Sequence, residues 1–183
     1  MWRNSFSKTR ELVVFAMLGA LMFSSKIILE FLPNIHMLAL FTIVFTVVYG
    51  ARGLIPIYIY AAILTVYYGF QPWLLIHYYV WLVLWCITMP IPVNMNKKIA
   101  VPVYVALGAF HGVVYGFLCA LTQVPIYYNT FSVVTVLAYT ATGFKWDLIQ
   151  AAGNAAMCTL AVPLIILLDK LSRKMGIKTR LHD

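Results

Sequence analysis

The run Gly53–Asn96, GLIPIYIYAAILTVYYGFQPWLLIHYYVWLVLWCITMPIPVNMN, holds 44 residues without one charged side chain. As a single helix it would reach about 66 Å, twice the roughly 30 Å of a hydrocarbon core, so it must fold back on itself. Gly69-Phe70-Gln71-Pro72 is the natural break, which predicts helices over 53–69 and 73–90, the second stopped by Pro90 and Pro92. Three further charge-free runs lie on either side: Phe31–Ala51 (21 residues), Ile99–Phe144 (46) and Leu148–Leu168 (21).

Composition agrees. The 183 residues are 63% hydrophobic and 10% charged, against about 45–50% and 25% in soluble proteins, which excludes a water-soluble globular domain. The same logic predicts helices over 11–30, 36–50, 99–122 and 146–169. Gln123-Val-Pro-Ile-Tyr-Tyr-Asn-Thr breaks the pattern, and the short Thr-rich stretch after it leaves 123–145 as an outer loop or cap. The positive-inside rule then sets the topology. With six crossings, eleven of the thirteen Lys and Arg residues fall inside, and only Lys26 and Lys145 fall outside. A seventh crossing would export the basic tail Lys170–Arg180. The expectation is an all-α bundle of six transmembrane helices, a single integral domain over 1–183, with both termini cytoplasmic in a cell membrane of bacterial type. No small-x-small cleavage site follows Leu12–Phe23, so the first segment is expected to stay.

The net charge of +8 does not read as a nucleic-acid footprint, because the basic residues sit at segment ends rather than along a stripe. Cys86, Cys119 and Cys158 are far apart and lack CxxC spacing, so no metal is expected. The chain has no Gly-x-x-x-x-Gly-Lys-Ser/Thr loop, no His-Glu-x-x-His and no Gly-x-Ser-x-Gly. Neither an enzyme activity nor a cofactor in this chain is expected. What remains is binding or transport, for which intramembrane polar residues are the candidates.

Asp147, Gln150 and Asn154 stand at i, i+3 and i+7 and share a face in the outer half of the last helix. Opposed to their use as a site is the reading that they only tie helices together. Tyr78 and Trp81 share a face of the fourth helix, Tyr67 and Tyr68 end the third, and His77 lies at the same outer level; each could equally be interfacial packing. His111 reads as a bundle histidine or a ligand contact. Lys26 either pairs with Glu30 at i+4 or meets an anionic ligand group. Ala16, Gly19 and Ala20 form a small-residue strip that permits close approach of another helix.

With Ala16 and Ala20 go Arg10-Glu-Leu-Val, the following AMLGAL, Leu32-Pro-Asn-Ile-His, Thr46-Val-Val-Tyr-Gly, and Gly153-Asn154 ahead of Val162-Pro163-Leu164. In these motifs the chain resembles the substrate-binding S component of energy-coupling factor (ECF) vitamin transporters. The resemblance implies a small six-helix protein that captures a vitamin outside. It then docks through the helix 1 strip on a membrane scaffold, the T component, whose two cytosolic ATPases supply energy. Outer segments rich in Tyr, Trp, His, Gln and Asn, with neither charge type clustered, favour cobalamin or another corrinoid. Pantothenate or another small vitamin is the rival. Outside this family, a proton-coupled secondary transporter using Asp147 or a structural membrane subunit is the alternative.

Overall fold

A computed structural model describes residues 2–129 and 131–182, with side chains from residue 8 onward. Among the described residues there are helices and no strand. The seven α-helices are α1 (Trp2–Ile28), α2 (Leu38–Tyr49), α3 (Leu54–Tyr68), α4 (Val80–Thr88), α5 (Lys97–Tyr128), α6 (Val133–Cys158) and α7 (Ala161–Lys174); 3-10 turns cover Gly50–Gly53, Pro72–Tyr78 and Arg180–His182.

Every residue of α2 is buried. A helix that is apolar all round belongs at the centre of a bundle, and α2 is there. Its end is a sharp reversal: Gly50 has φ +61°, and a Cβ on Gly53 would lie 2.5 Å from the Phe45 carbonyl oxygen. In a straight helix eight residues span about 12 Å, so α2 and α3 are antiparallel neighbours rather than one rod. Trp85 Nε1 donates to the Gly50 carbonyl at 3.1 Å, satisfying a helix-end acceptor. Helices α1 and α3 run parallel. Arg52 meets Glu11 at 2.7 Å at one end, Gly19 lies on Ile59 and Pro56 in the middle, and Lys26 meets Tyr68 at 2.7 Å at the other end.

The closest helix pair is α5–α6. Gly108, Gly112 and Gly116 recur every fourth residue on α5, and a Cβ at each would stand closer than a Cβ can to Cys158, Ala151 and Asp147 of α6. Small residues in this pattern let backbones touch, which in an apolar surround drives helix association better than greasy side chains do. The chain turns between them through Asn129, φ +50°. Residues 123–145, expected as an outer loop or cap, are therefore helical on both sides of a short turn, with Pro125 inside α5. The last expected helix, 146–169, is the second half of α6 followed by α7 across a 51° bend.

Among the described residues, three helical stretches meet the length and composition needed to cross a bilayer, Lys8–Ile28, Lys97–Tyr128 and Leu38–Tyr68, the last of which folds back at Gly50–Gly53, and α6 with α7 makes a fourth if the bent pair is one span. The sequence led to six crossings. The reversal at Gly50–Gly53 leaves α2 and α3 with 12 and 15 residues, about 18 and 23 Å, each short of a roughly 30 Å core. The 3-10 turn ahead of α4 leaves that helix nine residues.

The tail folds back over one end. Arg180 donates to the Met89 carbonyl at 2.8 Å, Arg52 to the Lys178 carbonyl at 2.8 Å, and Thr179 to Asp169 at 2.5 Å. This end is hereafter the basic end.

Gly112→Ala should destabilise the protein by about 1–3 kcal/mol through overpacking, because the new methyl meets α6 backbone. Gly143→Ala, in α6 with nothing within 4 Å, should instead raise stability by about 0.5–1 kcal/mol. Melting curves of the two variants in detergent should shift in opposite directions.

Candidate ligand-binding site

At the end away from the basic one, a cavity of about 390 Å³ opens between five parts of the chain. Lys26 comes from α1; Leu32, Pro33, Asn34 and His36 come from the α1–α2 connector; Trp73 and His77 come from the 72–78 turn. Helix α5 contributes Tyr115, Cys119 and Gln123, and α6 contributes Tyr139 and Gln150. A second chamber of about 340 Å³ shares Pro33, Asn34, Tyr115, Cys119, Tyr139 and Gln150 with the first. It adds Gly116, Gly143, Trp146 and Asp147.

Beneath the cavity Trp81 is fully buried, with ring centres 5.6 Å from His36, 6.4 Å from His77 and 5.3 Å from His111. Hydrogen bonds fix two of the tautomers. Trp81 Nε1, which can only donate, points at His77 Nδ1 at 3.4 Å, and the Tyr60 hydroxyl lies 3.1 Å from the same nitrogen, so His77 Nδ1 accepts and its proton is on Nε2. His111 Nε2 lies 3.1 Å from the Val80 carbonyl, which can only accept, so its Nδ1 is the bare acceptor. That Nδ1 is buried and unpartnered.

The same holds for His36 Nδ1, Gln150 Nε2, Asp147 Oδ2 and Asn154 Oδ1. A buried polar atom without a partner costs about 1–3 kcal/mol. Three of these atoms belong to residues that line the two chambers: His36, Gln150 and Asp147.

Charge in the larger cavity is self-compensated. Lys26 Nζ lies 2.9 Å from Glu30 and 2.7 Å from the Tyr68 hydroxyl, and 4.6 Å from the centre of the Tyr68 ring. The Tyr68 hydroxyl and then the Lys26 ammonium hold the Glu30 carboxyl below its usual range, so the pair is ionised. Enclosure in the cavity wall, aided by nearby His111, holds the His36 imidazole down at about 4. It is neutral near pH 7.

The residues singled out in the sequence thus divide. Lys26, His77 and Gln150 line the larger cavity, and Asp147 and Gln150 line the second. Trp81 and His111 form the layer beneath. Asn154 lines neither and donates from Nδ2 to the Gly108 carbonyl at 3.1 Å. Tyr68 acts through Lys26. Tyr67 stands outside, on Phe23 at 5.4 Å, and Tyr78 bonds Thr65 at 2.8 Å. Of the small-residue strip, Ala16 and Ala20 are exposed, whereas Gly19 is buried against α3. Sequence reasoning missed Trp73, Gln123 and Tyr139. The last two lie in the stretch read as a loop.

No protein-family model, curated protein or solved structure matches this chain.

Asn154→Ala should lower stability by about 0.5–1.5 kcal/mol, the usual worth of one internal hydrogen bond, without altering the cavity wall. Gln150→Ala should leave the melting temperature nearly unchanged while altering whatever binds, since its amide has no internal partner. Thermal melts of both, in detergent, separate the roles. A second measurement follows from His36. Its folded value, about 4, lies below the ordinary 6.5, so the unfolded chain binds more protons between them and stability is lost as pH falls through that window. The melting temperature should drop from pH 6.5 to 4, and less steeply in His36→Gln.

Proposed function

We propose that this chain is a membrane-embedded capture subunit, the S component of an ECF-type importer, that takes up a vitamin-sized ligand from outside. The observation that carries the reading is the pair of adjoining chambers whose walls hold unpartnered buried polar atoms. A cavity of a few hundred Å³ with convergent polar groups is the form that small-molecule sites take. The polar atoms are left for a ligand to satisfy.

Charge supports the orientation. Arg52, Arg173 and Arg180 gather at the basic end, with Lys97 beginning α5 there, whereas Lys26 stands at the cavity end. Under the positive-inside rule the basic end faces the cytoplasm and the cavity faces out, with six crossings and both termini inside. Energy would come from partners: the T component and two ATPases. The exposed face of α1, carrying Leu12, Ala16, Met17 and Ala20, is flat enough to receive a scaffold helix.

The size of the cavity bears on the ligand. The larger chamber, about 390 Å³, shares six lining residues with the second, about 340 Å³, and a vitamin panel that holds both a corrinoid such as cobalamin and small members such as pantothenate decides between the two.

Two experiments test the reading. Native mass spectrometry of the purified chain against a vitamin panel should give one-to-one retention of at least one member. Single cysteines placed in a cysteine-free background should label from outside intact cells at Asn129 and only after permeabilisation at Lys174. Retention of no compound, or outside labelling at Lys174, would overturn it.

A further inference from the structure

The second chamber holds a carboxyl group that no basic side chain of the described residues answers. Asp147 is 4% exposed and its Oδ2 has no hydrogen-bond partner. Among the described residues no Lys, Arg or His forms an ion pair with it. The nearest basic residue in sequence, Lys145, sits over the Trp146 ring instead, 5.3 Å from its centre. Lys26 is already engaged by Glu30 and Tyr68.

The place is built rather than accidental. A Cβ on Gly116 would occupy the space of the Asp147 carboxylate, so glycine at that position is what lets the carboxylate lie against α5. The remaining walls are aromatic: Tyr115, Tyr139 and Trp146 line the same chamber. A buried charge without a partner is strongly unfavourable, and aromatic faces attract cations electrostatically. Both features call for the same kind of occupant.

The charge balance of the joined chambers points the same way. Lys26 and Glu30 offset each other, and His36 is neutral at pH 7. Asp147 is then the acidic side chain lining these chambers that no Lys, Arg or His of the described residues answers.

We propose that the second chamber is a cation subsite: the ligand carries a quaternary or protonated nitrogen that sits against Asp147 between Tyr115, Tyr139 and Trp146, with its remaining part in the larger cavity. The inference rests on the capture function proposed above and narrows its substrate to organic cations. Gln150 lines both chambers and offers its free amide N–H to an acceptor on the neutral part of the ligand.

The test uses the purified full-length chain in nanodiscs at pH 8 and two probes of equal shape, N-benzylpyridinium, a permanent cation, and 4-benzylpyridine, neutral at that pH. Binding is followed by tryptophan fluorescence and calorimetry. The cation should bind roughly tenfold tighter or more, the scale of a desolvated cation–aromatic contact. Asp147→Asn should abolish the preference, and Asp147→Glu should keep part of it. Melting temperature and monodispersity report whether the variants fold. If Asp147→Asn does not fold, Trp146→Leu, at a 42% exposed wall position, should weaken the cation alone and Trp146→Phe should largely restore it. Equal or tighter binding of the neutral probe would overturn the proposal, as would binding of neither, or equal losses for both probes in Asp147→Asn. In each of those cases, retention of a vitamin by the wild-type chain leaves the capture reading standing; with no vitamin retained, both fall.

Discussion

The contact on which the site depends is close approach at glycine: α5 presents Gly108, Gly112 and Gly116, and α6 lies on them through the Cys158 side chain, the Ala151 backbone and the Asp147 carboxyl. In water such a seam would bring little, since glycine buries almost no apolar area. In an apolar surround the solvent offers no hydrophobic gain from burying leucines, and closeness of approach decides which helices pair. The seam also fixes rotation. With Ala151 pressed on Gly112, Asn154 must reach the Gly108 carbonyl, Asp147 must lie over Gly116, and Gln150 turns toward the cavity. Three polar residues that share one helical face thereby acquire three different neighbourhoods.

At the opposite end the bundle is closed by polar contacts rather than by close packing. Glu11, Arg52 and the Lys178 carbonyl form one chain of contacts, and Tyr49 meets Ser172 at 2.6 Å. Asp169 gathers Thr179, Arg173 and His182. Each exposed ion pair is worth little by itself, about 0–1 kcal/mol. Together they hold the returning tail, whose Arg180 satisfies the Met89 carbonyl left open at the end of α4. The result is an asymmetric bundle, tied by polar contacts at the basic end and lined by aromatic and amide side chains around the cavity at the other.

The helical class was legible because charge-free runs of this length leave the backbone no partner but itself. The fold-back at Gly69–Pro72 was legible too: Gly69 ends α3 at φ +70° and Pro72 opens the next turn. Residues 123–145 were not. Pro125 and the Val- and Thr-rich stretch from Val133 argue against helix on propensities measured in water. Those penalties, from a few tenths to about 3 kcal/mol per residue, are outweighed where an unpaired backbone group costs several kcal/mol. The Gly108/Gly112/Gly116 stripe was in plain view in the sequence, and it would have paired α5 with α6. The polar face at 147, 150 and 154 was legible as a face. Which of its members meets a ligand depended on that pairing, and so did the placing of Gln123 and Tyr139 over the cavity.

Atoms on His36, Gln150 and Asp147 have no hydrogen-bond partner within the protein, so each is free to meet a polar group from outside it. A flexible site would let such side chains turn outward. Here the α5–α6 seam removes that freedom for Gln150 and Asp147, and Trp81, 5.6 Å from His36, crowds the third. Rigidity of this sort raises affinity, because a ligand meets groups already desolvated and oriented and does not have to order them. Binding at such a site also couples to stability: a ligand present at a hundred times its dissociation constant stabilises a folded state by about 2.7 kcal/mol. The glycine seam that brings the helices together is thus also what fixes Gln150 and Asp147 in the chamber walls.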